Sequence, residues 1–277
     1  MGAFDMTDIR RFGCYDVTIT VDGVFRAPIE HLDHASSDVV RNAAVAAWPA
    51  PTIDMDVNFF VLSGADGITL VDAGTGPYWG PELGLGRPAL ERAGISRADV
   101  RRVLLTHLHG DHALGLFDDA GQYFPQAEIV VPQADLAFFT NAALKETIPV
   151  YRRGGFDIAA RLLEIYPDRV RPVPEGPLLP GIEMVSMPGH TPGHSGYLIG
   201  EGAEKLVLWG DLVHAPKLQL DDPDFCFIYD ADARQGANSR RTIFTHASEK
   251  GWTASGGHVS GFMRVEKADT GWDFVAA

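Results

Sequence analysis

The chain has 277 residues, enough for one large domain or two small ones, and its 45% apolar content is ample for a core. Its formal charge is −14 and its basic residues cluster only in pairs such as Arg101-Arg102 and Arg240-Arg241, so the basic footprint of a nucleic-acid binder is missing. Two distant cysteines, Cys14 and Cys226, supply neither a disulfide framework nor a thiolate metal cage. The first eight residues show no basic stretch leading into an apolar one, and no run is long enough to cross a bilayer. A cytoplasmic protein with no membrane or nucleic-acid partner is the expectation.

In chain order, residues 12–25 read as two short strands around a turn at Asp22-Gly23. Residues 37–48 read as a short helix inside a Pro-interrupted stretch that ends near Pro51. Residues 56–62 and 67–72 read as a hairpin turning at Gly64-Ala-Asp-Gly67. A glycine-rich loop over 74–86 leads into a helix over 87–93. Strands follow at 100–105 and 127–131, and helices at 135–141 and 157–163. Residues 182–186, 195–199 and 205–209 form strands, 231–250 the last long helix, and 252–255 a closing strand. Strands and helices that alternate loosely, with several hairpins, imply an α/β or α+β layered domain. The whole chain reads as one domain, with residues 1–51 as an N-terminal extension suited to a lid or dimer contact.

The strand over 100–105 runs into Thr106-His-Leu-His-Gly-Asp-His112, which packs three imidazoles and a carboxylate where a strand ends. Neutral imidazole is the commonest metal ligand, and a carboxylate adds charge that holds a divalent cation. His107 and His109 are two apart, so an extended segment points them the same way. A further donor could not share one coordination sphere with all four of these, which makes two adjacent ions natural. Further donors stand beside glycine after apolar strands: His190 in Pro188-Gly-His-Thr-Pro-Gly-His194, Asp211 in Trp209-Gly-Asp211, and His258 in Gly256-Gly-His258. Asp72 ends another strand in Leu70-Val-Asp-Ala-Gly74. Oxygen and nitrogen donors accept zinc, manganese, cobalt or iron. Gly-x-Ser-x-Gly and phosphate-loop motifs are absent.

These motifs, in this order from about residue 56 to residue 258, resemble the metallo-β-lactamase superfamily. The resemblance implies an αββα sandwich with its site at one edge between two sheets. It assigns His107, His109 and His190 to one metal and Asp111, His112 and His258 to a second, with Asp211 shared and Asp72 supporting the ligands from behind. Zinc is the expected ion at both sites. His194 is expected either to support a ligand or simply to pack, and His31, His34 and His246 to be ordinary histidines. His214, three residues after Asp211, stands where related lactonases carry a substrate-contacting tyrosine. It is a candidate to donate a hydrogen bond to a developing oxyanion or a leaving oxygen.

Within the superfamily the bridging Asp211 argues against true β-lactamases, and ligands for two metals argue against single-iron dioxygenases. No basic arm or flavodoxin-like extension is present, and the basic C-terminal residues with which glyoxalase II holds glutathione have no match. Thr191-Pro-Gly-His-Ser195, Gly210-Asp-Leu-Val-His214 and Asp221-Asp-Pro223 resemble most the methyl parathion hydrolase-like group and its lactonase relatives. This implies a dinuclear hydrolase whose metal-bridging hydroxide attacks a lactone or ester carbonyl, with promiscuous phosphotriester activity. Asp111 or His214 would carry the proton to the leaving group. Phe25, Trp48, Tyr78, Trp79, Phe225 and Phe227 are candidates to shape a pocket for a neutral acyl or aryl substrate. The resemblance also implies a homodimer. Organophosphate hydrolysis, β-lactam or thioester hydrolysis, and a non-catalytic metal-binding or redox role are the alternatives.

Overall fold

The computed structural model describes residues 9–202 and 204–277. The expectation made for residues 1–8 lies outside the described residues. Ile9–Phe12 (β1) pairs antiparallel with Tyr15–Pro28 (β2). Leu32–His34 (β3) leaves that sheet, and Asp38–Ala47 (α1) starts at Ser37, whose hydroxyl accepts from the Val40 N–H. Thr52–Gly64 (β4) returns along β2 and turns through Gly64 and Gly67 into Gly67–Val71 (β5). Gly86–Arg92 (α2) leads to Val100–Leu104 (β6), Gly110–Ala113 (α3) and the small hairpin of Phe117–Asp118 (β7) and Gly121–Gln122 (β8). Glu128–Pro132 (β9), Gln133–Phe139 (α4), Ala142–Thr147 (α5), Gly154–Ile165 (α6) and Val170–Val173 (β10) complete the first half. The first sheet runs β1-β2-β4-β5-β6-β9-β10, with β5, β6, β9 and β10 parallel.

The second half supplies Gly176–Leu179 (β11), Ile182–Ser186 (β12), Ser195–Ile199 (β13), Leu206–Leu208 (β14), Pro216–Gln219 (α7) and Phe225–Phe227 (β15). The 18-residue helix Ala233–Lys250 (α8) then leads to Thr253–Gly256 (β16), Val259–Lys267 (β17) and Trp272–Ala276 (β18). The second sheet runs β11-β12-β13-β14-β16-β17-β18, while β15 pairs with β3 in a separate two-stranded sheet.

Side-chain alternation makes the layers. Phe60, Leu62, Val71, Leu104 and Val130 face Tyr197, Ile199, Leu206 and Leu208 between the sheets. Their sequence neighbours Phe59, Val61, Leu70, Val103, Ile129 and Val131 point the other way, onto Phe139, Phe156 and Leu162 of α4 and α6. Leu198 and Val207 likewise turn outward onto Ile243, Phe244 and Ala247 of α8. A period of two with both faces buried is what parallel central strands require. The result is the expected αββα sandwich. Among the described residues no helix is long and apolar enough to cross a membrane.

Two readings of the sequence need correction. Asp22-Gly23 is no hairpin turn: β2 is one strand of 14 residues with a bulge between Val21 and Gly23. Gly23 has φ +142, and a Cβ there would lie 2.2 Å from the Glu82 carbonyl oxygen. The bulge turns the Asp22 carboxylate inward, where it accepts from Thr75 N–H and Oγ1 and from the Gly84 and Gly86 N–H groups. The glycine-rich loop is thus folded around a buried acid. Residues 252–255 do not close the fold either, because β17 and β18 extend the second sheet beyond β16.

Candidate metal centre

β6 delivers Leu105 and Thr106 into the sheet edge, and the next three residues carry His107 and His109 out of it in extended backbone; His109 has φ −94 and ψ 166. Asp111 and His112 lie in the short helix α3 that follows. From the other sheet, His190 stands in the loop after β12, Asp211 in a turn after β14 and His258 between β16 and β17. Ligand atoms of His107, His109 and His190 lie within 4.8 Å of one another, as do those of Asp111, His112, Asp211 and His258. Asp211 joins the two groups. Its Oδ2 is 3.8 Å from His107 Nε2, 3.4 Å from His190 Nε2 and 3.2 Å from His258 Nε2, and its Oδ1 is 2.9 Å from His112 Nε2. Asp111 Oδ2 is 3.5 Å from His112 Nε2 and 3.6 Å from His258 Nε2. Gly257 permits this approach: a Cβ there would sit 2.6 Å from Asp211 Oδ1.

The surroundings decide which nitrogen of each ring faces inward. His112 Nδ1 donates to Asp72 Oδ2 at 2.8 Å, His190 Nδ1 to Asp230 Oδ1 at 2.8 Å, and His258 Nδ1 to the Asp56 carbonyl at 2.6 Å. Thr106 Oγ1 gives its hydrogen to Asp72, so it accepts from His107 Nδ1 at 3.0 Å. Each of these four rings in its neutral form therefore presents an Nε2 lone pair to the common space. His109 enters by Nδ1, 2.8 Å from His190 Nε2. His107 Nε2, His112 Nε2 and Asp211 Oδ1 are buried without a hydrogen-bond partner, an arrangement that costs free energy unless a cation meets them.

Electrostatics point the same way. Burial lowers His107 well below the usual imidazole range, and burial together with the neighbouring His190 takes His109 to about 3. Burial also opposes charge on His112, yet Asp211, Asp111 and Asp72 overcome it and raise that ring well above its ordinary value. Burial would raise Asp211, but His112 and His258 hold its carboxyl well below the ordinary range. A cluster that draws a proton into a buried ring is one that a divalent cation satisfies better. The donor set of five imidazoles and two carboxylates fits two divalent ions of the zinc type.

Residues 53–250 match the family model described as the Metallo-beta-lactamase superfamily. The chain belongs to that superfamily. Over 129 residues it is 32% identical to the probable metallo-hydrolase Rv2300c of Mycobacterium tuberculosis, covering 44% of this chain and 40% of that protein. Over 148 residues it is 27% identical to the uncharacterized protein YobT of Bacillus subtilis, covering 51% of this chain and 56% of that protein. The chain thus spans about half the length of the curated relatives it matches. Among solved structures, the hydrolase AbOPH superposes with a TM-score of 0.86 at 22% identity over 97% of this chain and 96% of that one. AidC, a dizinc quorum-quenching lactonase in complex with a product, gives 0.86 at 23% identity over 98% and 97%.

On this superfamily frame the supporting residues are this chain's own. Asp72 is the one non-glycine residue with positive φ (63°) among the described residues, a strained backbone that turns its carboxylate onto both Thr106 and His112. His194 packs and also hydrogen-bonds: Nδ1 donates to the Met187 carbonyl and Nε2 accepts the Asp211 N–H at 3.0 Å. His214 is buried inside the cluster. Its Nε2 is 3.4 Å from Asp211 Oδ2, and its ring stacks on His258 with centroids 5.0 Å apart.

Two supporting acids escaped the sequence reading. Asp230 backs His190, and Asp135 accepts from Leu108 N–H, Gly193 N–H and Thr191 Oγ1, tying the His107–His109 segment to the His190 loop. Each looks like a helix-start acid in sequence, and only the fold turns it onto the site. His31 hydrogen-bonds Tyr229. His34 pairs with Asp222, and His246 lies beside Trp252. Of the six candidate pocket aromatics, Phe25 and Trp79 meet at 6.0 Å, and Trp79 lies over Gly110 between His109 and Asp111. Phe227 lies 5.4 Å from the His214 ring. Trp48 and Phe225 pack in the small core under β3, and Tyr78 is taken up by Arg161.

Proposed function

We propose that the chain is a metal-dependent hydrolase of neutral acyl compounds, lactones or esters, with two zinc ions held by His107, His109 and His190 and by Asp111, His112 and His258, and with Asp211 shared. The observation that carries this reading is the convergence of seven side chains, Asp211 among them, with Nδ1 of His107, His112, His190 and His258 tied to acceptors and His107 Nε2, His112 Nε2 and Asp211 Oδ1 buried without a hydrogen-bond partner. When bound, such an ion pair supplies a nucleophile from water at neutral pH and polarises a carbonyl or phosphoryl oxygen.

The chain's own residues do the rest. Asp111 is the more open of the two carboxylates, with its side chain 11% exposed against 3% for Asp211, so it is the one placed to move a proton to a leaving oxygen. Burial lowers the pKa of His214, so the ring is neutral near pH 7. It then carries one hydrogen, and the neighbouring Asp211 carboxylate favours that hydrogen on Nε2, at the centre of the cluster. From there His214 can donate to an oxygen that gains charge. Phe25 and Trp79 give the mouth an apolar wall that excludes water and suits an acyl or aryl group.

The same wall also suits the aryl leaving group of a phosphotriester, so an organophosphate hydrolase of the methyl parathion type is the second reading. A panel of acyl lactones, aryl esters, a phosphotriester and a β-lactam, assayed by kcat/KM on the zinc-loaded protein, decides between them. A lactone or ester preferred by orders of magnitude supports the proposal. A preferred phosphotriester supports the second reading, and turnover that survives full metal removal refutes both. The homodimer implied by the resemblance belongs to the same proposal and is checked by light scattering.

A further inference from the structure

The N-terminal arm reaches the mouth of the metal centre. β3 pairs with β15 so that Leu32 faces Phe227, and the Ile228 N–H donates to the His31 carbonyl. That register sets His31 beside Tyr229, with Nδ1 and the phenol oxygen 2.7 Å apart and the rings perpendicular at 5.5 Å. Tyr229 is held on three further sides. Its ring stacks on Phe227 at 6.0 Å and 5°, meets Phe25 edge-on at 6.4 Å and lies 6.3 Å from His214. Phe25 leads on to Trp79 and so to Gly110, between His109 and Asp111. The aromatic wall of the mouth therefore carries a hydroxyl, and that hydroxyl has a dedicated partner. Burial, and then the negative charge of Asp111, push the phenol up to about 12, so it keeps its hydrogen at neutral pH.

We infer that Tyr229 is a specificity-determining residue whose hydroxyl donates a hydrogen bond to a neutral carbonyl oxygen of the substrate, and that His31 is the positioning residue that aims it. In this assignment His31 carries its hydrogen on Nδ1 and gives it to the phenol oxygen 2.7 Å away, which leaves the phenol hydrogen for the ligand. An aromatic wall with one aimed neutral donor suits uncharged acyl compounds. This inference rests on the hydrolase reading for its substrate, but not for its test.

The test is calorimetric titration of the zinc-loaded protein with an alkyl-substituted lactam, a neutral stand-in that keeps the carbonyl and resists hydrolysis. Tyr229→Phe should weaken binding about 10-fold, the worth of one hydrogen bond. His31→Phe should lose a similar factor, His31→Asn should keep most of the affinity, and the double Phe variant should lose no more than either single one. Zinc content and melting temperature should stay those of the unaltered protein. Full affinity in Tyr229→Phe, losses that multiply in the double variant, or no lactam binding by the unaltered protein would each overturn the inference. Failure of the hydrolase reading shows elsewhere, as absent turnover across the substrate panel.

Discussion

Replacing Asp230 by asparagine should weaken one metal site and destabilise the fold through a single buried charge. Asp230 Oδ1 accepts from His190 Nδ1, and Oδ2 lies 3.7 Å from Arg240 Nη1; both side chains are 1% exposed. Arg240 also donates to the Pro223 and Leu212 carbonyls, and Leu212 is the neighbour of Asp211. Burial opposes Arg240's charge more than Asp230 supports it, so the guanidinium is held below its ordinary pKa. Asparagine keeps the shape and an oxygen for His190 but removes the counter-charge. Leaving one member of such a pair uncompensated costs about 3–5 kcal/mol. Loss of a supporting carboxylate behind a ligating histidine costs about 10–100-fold in metal affinity. Urea unfolding of the metal-free protein should read the first effect, and chelator competition the second, confined to one of two zinc ions. Adding Arg240→Met should recover most of the stability, since no buried charge is then unpaired, but should not recover the zinc. Additive destabilisation in the double variant, or wild-type zinc affinity in Asp230→Asn, refutes the reasoning.

Asp211→Ala should abolish hydrolysis and leave fewer than two zinc ions bound, with far-ultraviolet circular dichroism unchanged; full activity would sink the shared-ligand assignment. His214→Phe should lower kcat more than it raises KM, since a donor to a developing charge acts in the transition state, and an unchanged kcat assigns His214 to packing alone. Burial, only partly offset by the Thr191, Leu108 and Gly193 hydrogen bonds, raises the Asp135 pKa from 3.8 to about 6. In that interval the folded chain binds more protons than the unfolded one, so stability falls as pH rises, by up to about 3 kcal/mol in all. With a chelator present, the stability of the unaltered protein relative to Asp135→Asn should fall between pH 4 and 7 and be level above that; a pH-independent difference would show that the acid does not titrate there.

The site residues named from sequence are local in character, which is why they could be found: a dense histidine run at a strand end, and lone donors flanked by glycine. Loosely alternating strands and helices imply the layered class, and the αββα sandwich is implied by the superfamily resemblance; the structure shows its basis in segments such as Phe59 to Leu62, where the two faces serve two cores. What escaped depends on long-range geometry. The bulge at Asp22 looks like a turn because Asp-Gly serves both, and only the uninterrupted β4 alongside distinguishes them. Asp135 and Asp230 carry no periodic signal, and their roles exist only once loops from different sheets meet. The His31–Tyr229 pair needs the β3–β15 register, which no local pattern specifies.

The distribution of ligands along the chain has an energetic consequence. His107, His109, Asp111 and His112 come from the first sheet's edge, while His190, Asp211 and His258 come from the second. Both the three-histidine and the mixed group draw on both halves, so under the proposed assignment neither ion could be held by one half alone. Metal binding is then binding to the assembled sandwich, and its free energy adds to stability by mass action. The same layout explains the supporting acids. Asp72 holds His112 within the first half and Asp230 holds His190 within the second, while Asp135 accepts from both Leu108 and Thr191 and so fastens the His190 loop across the seam. The seam is weakest without metal, because Asp211 and the unpaired nitrogens around it then sit buried with no cation to satisfy them.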